Sequence, residues 1–268
     1  MKNLFTLAMV LCLNWTPHMV FADVVFDGYY KVILNEKNHV GFAIQRYEFD
    51  KTKKQFTSTS YIQTNLLNSG TMESLKAVCD DKFVPISYKY TAQIGTNTKT
   101  IDARFEQEKK KGHKNSQLKM LATISDGKTP KKIQRLVPNG VFLSTFLPYI
   151  ILQNGLSRDK KYNFQAIAEE EAVIAKGVTH IVSQNKVKGF DLFLAKFWFR
   201  DSGFESMIHK SGEIITTYSP VQKISTVLVK EPVDASKGLR FNPDTLKFIF
   251  GEVPTGKINL LYRGEKDQ

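Results

Sequence analysis

A chain of 268 residues with 42% hydrophobic content is ordinary for a globular protein, and long enough for one large β domain or two small ones. Of its two cysteines, Cys12 lies in an N-terminal apolar run, so a processed chain keeps Cys79 alone and no internal disulfide can hold it together. The formal net charge of +12 favours anionic partners such as lipid headgroups, cell-wall phosphates or nucleic acid.

Residues 1–22, MKNLFTLAMVLCLNWTPHMVFA, carry one lysine, an apolar run over 4–13, a proline break and a small residue before Asp23. This pattern predicts a secretory signal peptide cleaved after Ala22, and the run is too short for a membrane span, which needs about 20 apolar residues. Cys12 sits inside the run after Leu11, which argues against a lipid-modified cysteine. Loss of the leader's single lysine leaves +11 on the exported chain. Export to the periplasm removes most of the case for nucleic acid, and the chain is not expected to be an integral membrane protein. Cys79 reads as a small, half-buried strand residue rather than a nucleophile.

From residue 24 to 125 the dominant period is two, the spacing of strands with one face buried. Strands are predicted at 24–34, 40–49, 56–66, 71–79, 84–94, 100–108 and 118–125, joined by turn-forming stretches such as 35–38, 50–54, 80–82 and 95–97. The clean alternation of 56–66 and 86–94 favours antiparallel pairing in meander order. The tip KKKGHK reads as a solvated hairpin end, with Lys109, Lys110, Lys111 and Lys114 as a candidate contact for an anionic polymer.

The stretch RLVPNGVFLSTFLPYIILQNG at 135–155 breaks the alternation. Nine of the twelve residues from 141 to 152 are apolar, which predicts a short helix near 141–154, capped by Asn139, ended by Gly155 and bent or split at Pro148. Apolar on nearly all sides, it must be buried on nearly all sides. It is either the plug of the core or a movable lid over an apolar groove, with Phe142, Leu143, Phe146, Leu147, Ile150 and Ile151 as lining or lid.

Strands resume at 162–169, 172–183, 188–199, 203–210, 213–218 and 224–229. Some thirteen strands exceed a flat sheet, so strong curling or closure is expected. The fold class is therefore mainly β: one large, strongly curved antiparallel sheet, a half-barrel, around a short apolar helix. Residues 230–268, punctuated by Pro232, Pro243 and Pro254, read as a C-terminal extension packed on the 23–229 sheet domain.

Chemistry is sparse. His39, His113, His180 and His209 are scattered without metal-ligand spacing, and no Gly-x-Ser-x-Gly, P-loop, Rossmann or Cys-x-x-Cys motif occurs. The one acidic cluster, 169–171, reads as a turn, because adjacent carboxylates on a strand point to alternate faces and do not converge. No cofactor or metal is expected, and the chain reads as non-enzymatic.

The order of parts resembles a broad group of Gram-negative periplasmic proteins forming a domain-of-unknown-function family. The resemblance rests on Tyr30-Lys-Val32, Val40-Gly-Phe-Ala43, Val84-Pro-Ile-Ser-Tyr88, the apolar segment ending at Gly155 before Lys160-Lys-Tyr162, Phe197-Trp-Phe199 and Gly212-Glu-Ile-Ile-Thr216. It covers most of 24–229; the segment beyond Val229 departs from it. The resemblance implies a curved antiparallel sheet wrapped around a helix, similar to the LolA/LolB-like lipoprotein carriers, and brings no catalytic residues. The functional expectation is a non-catalytic periplasmic protein that binds a hydrophobic or amphipathic envelope component, such as a lipid or lipoprotein acyl chain, in the concavity. Two alternatives stay open: an envelope scaffold with a solid core, meeting a protein partner through a sheet edge or the tail, and an anionic-polymer binder acting through the basic face.

Overall fold

The computed structural model describes residues 22–66, 69–108, 117–127, 129–187, 189–240 and 242–264. The signal-peptide expectation and the lysine tip therefore lie outside the described residues. Eight strands open the chain: β1 (Asp23–Leu34), β2 (Asn38–Asp50), β3 (Gln55–Leu66), β4 (Ser69–Asp80), β5 (Pro85–Ile94), β6 (Asn97–Glu108), β7 (Gln117–Ser125) and β8 (Lys131–Val137). A two-residue strand, β9 (Phe142–Leu143), a single 3-10 turn (Ser144–Phe146) and helix α1 (Leu147–Asn154) follow. The second run is β10 (Lys161–Ala168), β11 (Val173–Val187), β12 (Phe190–Phe199), β13 (Ser202–His209), β14 (Ile214–Ser219) and β15 (Ile224–Val229). Three short helices close the chain: α2 (Pro232–Ser236), α3 (Pro243–Phe250) and α4 (Leu260–Arg263).

All fifteen strands form one sheet in the order 8-7-6-5-4-3-2-1-15-14-13-12-11-10-9. It is two meanders joined where β1 pairs with β15, antiparallel throughout except for the parallel contact of β9 with β10. Tight turns keep the order. Asn35 and Glu36 both take positive φ between β1 and β2, the geometry whose twist matches the flanking strands. Between β4 and β5 the Asp80 carboxylate accepts from Lys82 N and Val84 N and holds Phe83 at φ 62, a strained setting for a bulky side chain. The reward is position: Phe83 stacks on Phe56 at 5.4 Å and meets Phe146 at 6.0 Å inside the sheet.

The inward face carries the main core, with Phe26, Tyr30, Tyr47, Tyr88, Ile101 and Met120 wrapped around the segment from Val141 to Ile151. Small residues at Ala77, Ala103, Ala122 and Ala166 let that segment approach the strands closely. On the outward face Tyr29, Phe42, Ile44 and Tyr61 are buried by Ala235 of α2 and Leu246 of α3. Cys79 is fully buried rather than half-buried, and burial pushes its thiol up, away from thiolate chemistry.

The segment at 141–154 departs from one expected helix. Phe142 and Leu143 are extended and pair with Ala166 and Ile167, and the helix proper begins at Leu147. Asn139 does not cap it; Phe146 occupies the cap position with no side-chain hydrogen bond. Pro148 falls in the first turn, where a missing N–H costs nothing, so it starts α1 instead of bending it.

Candidate functional site

Where β9 ends, the sheet fails to close. Among the described residues, β10 has strand partners on its open side at Ala166 and Ile167 alone, because the chain at 138–141 turns away, with Val141 N donating to Pro138 O and Gly140 at φ 80. A wedge opens between that turn and the first half of β10. It holds a cavity of about 550 Å³. Val141 and Phe142 form one wall, Tyr162 and Phe164 the other, and Leu147, Ile150 and Ile151 of α1 the floor. Phe83 and Leu118 close the far side, so the strained β4–β5 turn contributes directly to the lining. Polar groups are few: Lys82, Gln107, Asn139, Asn154 and Asn163. A mostly apolar cleft with a few polar groups is the general form of a site for a small or chain-like apolar ligand.

A second hollow of about 290 Å³ lies on the opposite flank of α1, against Pro148 and Tyr149, with Phe26, Tyr30, Tyr47 and Ile214 across it. Its tyrosines are committed to structure. Tyr30 OH donates to Ile214 O at 2.9 Å and Tyr47 OH to Thr145 O at 2.8 Å, and burial pushes both phenols up. This face therefore holds α1 in place, whereas the wedge side has room.

Glu169, in the turn after β10, is 2% exposed. Its carboxylate accepts from Ser144 Oγ at 2.5 Å and Thr145 N at 3.2 Å, at the start of the 3-10 turn that leads into α1. Burial, partly offset by those two hydrogen bonds, raises its pKa from 4.5 to about 7. Its neighbours turn outward, Glu170 and Glu171 each pairing with Arg200 at 2.8 and 2.6 Å. The turn reading of 169–171 thus holds for all three residues, while the Glu169 carboxylate is a buried latch on the helical segment. Glu169 lines neither hollow.

The titratable side chains lining the wedge are Lys82 and Tyr162, and the Tyr162 hydroxyl donates to Gly155 O. His209 is held by Ser211, and burial lowers its pKa, with Lys210 and Arg263 adding to the shift. Among the described residues no group of three potential ligands could hold a metal, and no helix is long and apolar enough to cross a membrane. Of the six residues singled out in sequence, Phe142, Leu147, Ile150 and Ile151 line the wedge. Leu143 and Phe146, both fully buried, are packed in the core instead. Lys109, Lys110, Lys111 and Lys114 lie outside the described residues, although Gln107 and Leu118, on the strands they join, reach the wedge. Sequence reasoning missed Phe83, Tyr162 and Phe164; the clue for Phe164 is Gly177 opposite it, whose bare backbone accepts the ring, since a Cβ there would lie 2.2 Å from it.

No protein-family model and no curated protein sequence matches the chain. Among solved structures it is similar to a β-barrel-like protein of the domain of unknown function DUF1849 from Brucella abortus, with 11% identity and a TM-score of 0.51 over 77% of this chain and 97% of that one. A DUF1089 family protein from Pseudomonas aeruginosa aligns at 10% identity and a TM-score of 0.36, over 80% and 95% of the two chains. The first likeness is one of fold, a strongly curved sheet of barrel-like outline.

Proposed function

We propose that this is a non-catalytic protein of the periplasm, exported with its leader removed after Ala22, that binds a hydrophobic or amphipathic component of the cell envelope in the wedge. One observation carries the reading: the sheet stops pairing at β9 and leaves a cavity of about 550 Å³ floored by an apolar helix. A lipid or lipoprotein acyl chain, or another apolar segment, fits such a lining.

Ile150 is the residue to change, because it faces the wedge while remaining only partly buried. Ile150→Asp is expected to abolish copurification of any bound species in native mass spectrometry and to cost about 1–3 kcal/mol of stability, the usual scale for a core-flank substitution. A protein purified from its own envelope without detergent that shows a bare mass in both forms speaks against the proposal. Phe146, fully buried against Tyr47 and Phe83, is unsuitable for this test because a charge there would unfold the core.

A second reading, an assembly partner acting through the outward face, has one observation in its favour. Phe248 on α3 is 89% exposed beside a groove of about 440 Å³ lined by Tyr61, Met72 and Ile249. If that face is used, Phe248→Ser abolishes recovery of an envelope protein in crosslinked pull-downs and leaves ligand retention in the wedge unchanged.

A further inference from the structure

The wedge is bounded by more than apolar side chains. One of its walls is an edge of β10, whose residues Lys161–Gln165 have β11 on one side and, among the described residues, no strand on the other. The hydrogen bond from Ile181 N to Lys160 O sets the phase of the β10–β11 ladder. Hydrogen-bonded pairs alternate in an antiparallel ladder, so the N–H and C=O of Lys161, Asn163 and Gln165 point toward the wedge side. Five residues of strand offer an edge of roughly 17 Å.

From this we infer that the wedge binds an extended peptide segment, which adds a strand to the edge of β10 and directs alternate apolar side chains toward Ile150 and Leu118. The inference rests on the wedge being the binding site and narrows what it holds. A hydrocarbon chain laid along the same wall would cover the N–H and C=O of Asn163 and the N–H of Gln165 without replacing their water, and each such loss costs roughly tenfold or more in affinity. A peptide backbone satisfies them. Strand addition to an exposed edge, with pockets for alternate side chains, is a general recognition mode.

Charge at the mouth selects further. Lys161 begins β10, Lys160 precedes it with its ammonium on Asn154 O at 2.8 Å, and Lys82 lines the wedge. These cations complement a segment that is acidic at the end lying beside Lys161. The partner is therefore an apolar, acid-flanked stretch of another polypeptide in extended form.

The test uses the full exported chain and two probes: a fluorescein-labelled peptide of alternating Val and Thr ending in two Glu, and oleate. The peptide is expected to bind and to slow amide exchange at Asn163 and Gln165. Asn163→Pro removes an edge N–H while sparing the bonds to β11, and is expected to weaken the peptide at least tenfold with oleate unaffected. Should that variant fail to fold, N-methylating the peptide on the face that meets β10 gives the same readout on the unaltered protein. Absent peptide binding, or peptide binding indifferent to both changes, overturns the inference. If oleate alone binds, the wedge remains the site and its ligand is a lipid; if neither binds, the wedge is not the site.

Discussion

Glu169→Gln is expected to remove a loss of stability of about 3 kcal/mol that the native protein undergoes as pH rises from about 4.5 to about 7. The folded protein holds the Glu169 proton more tightly than the unfolded chain does, because the carboxyl is buried. Its contribution is therefore fully present below the unfolded pKa of 4.5, falls by about 1.4 kcal/mol per pH unit, and is gone above about 7. His209 acts with the opposite sign: its pKa is lowered, so its contribution is present above 6.5 and is lost as pH falls. Because both proteins share His209, the difference between their curves isolates Glu169. The amide of the Glu169→Gln side chain keeps one oxygen for Ser144 Oγ or Thr145 N and carries no charge to desolvate. Urea midpoints should diverge from pH 5 through 7 and level off by pH 8, the variant gaining on the native protein as pH rises. Parallel curves would mean that Glu169 is ionised at no cost throughout.

That carboxylate also shows where reading the sequence stops. Alternation identified the strands of 56–66 and 86–94 because a half-buried antiparallel strand writes its two faces into successive residues, and the observed β3 and β5 agree to within a residue. β8 is invisible to the same rule, since only Val137 of its seven residues is buried and the rest present no apolar face. β9 is two residues long and has no periodicity at all. Yet the wedge exists because β9 is so short. A cavity made by the end of a strand pairing is a tertiary fact, and its lining from Phe83, Leu118 and Phe164 comes from the β4–β5 turn, β7 and β10, which lie far apart in the chain. For the helix, composition overstates the burial, since only Pro148 and Ile151 of α1 are buried, and it suggests a break at Pro148 because the sequence does not say which turn that residue occupies. Likewise nothing local distinguishes Glu169 from Glu170 and Glu171; Ser144 and Thr145, brought alongside by the β9–β10 contact, turn it inward.

Asp27→Ala is expected to lower stability by about 3 kcal/mol and to release the C-terminal segment from the outward face. Asp27 is 1% exposed on β1, and a single carboxylate oxygen gathers Thr255 N at 2.9 Å, Gly256 N at 3.0 Å, Thr255 Oγ1 at 3.3 Å and Arg46 Nη2 at 3.4 Å. Its backbone joins in, with Asp27 N donating to Ile258 O and Asp27 O accepting from Asn259 Nδ2. Truncation leaves the buried Gly256 N–H unpaired and strands the buried Arg46 guanidinium, whose other partner, Glu252, is an exposed carboxylate at 3.0 Å. The loss is thus larger than the weak 3.4 Å ion pair alone would suggest. Two controls separate the parts. Asp27→Asn retains an acceptor for the 255–256 amides and should lose about half as much, whereas adding Arg46→Met to Asp27→Ala removes the stranded charge and should recover part of the stability. Hydrogen exchange gives the spatial readout: in Asp27→Ala the amides of Thr255, Gly256 and Leu260 should exchange faster by a factor of 10 or more, on the order of 1.4 kcal/mol of local opening. Amides of β10 and β11, on the far part of the sheet, should keep the global rate. Uniform acceleration across both regions would instead mean that the tail and the sheet unfold as one unit.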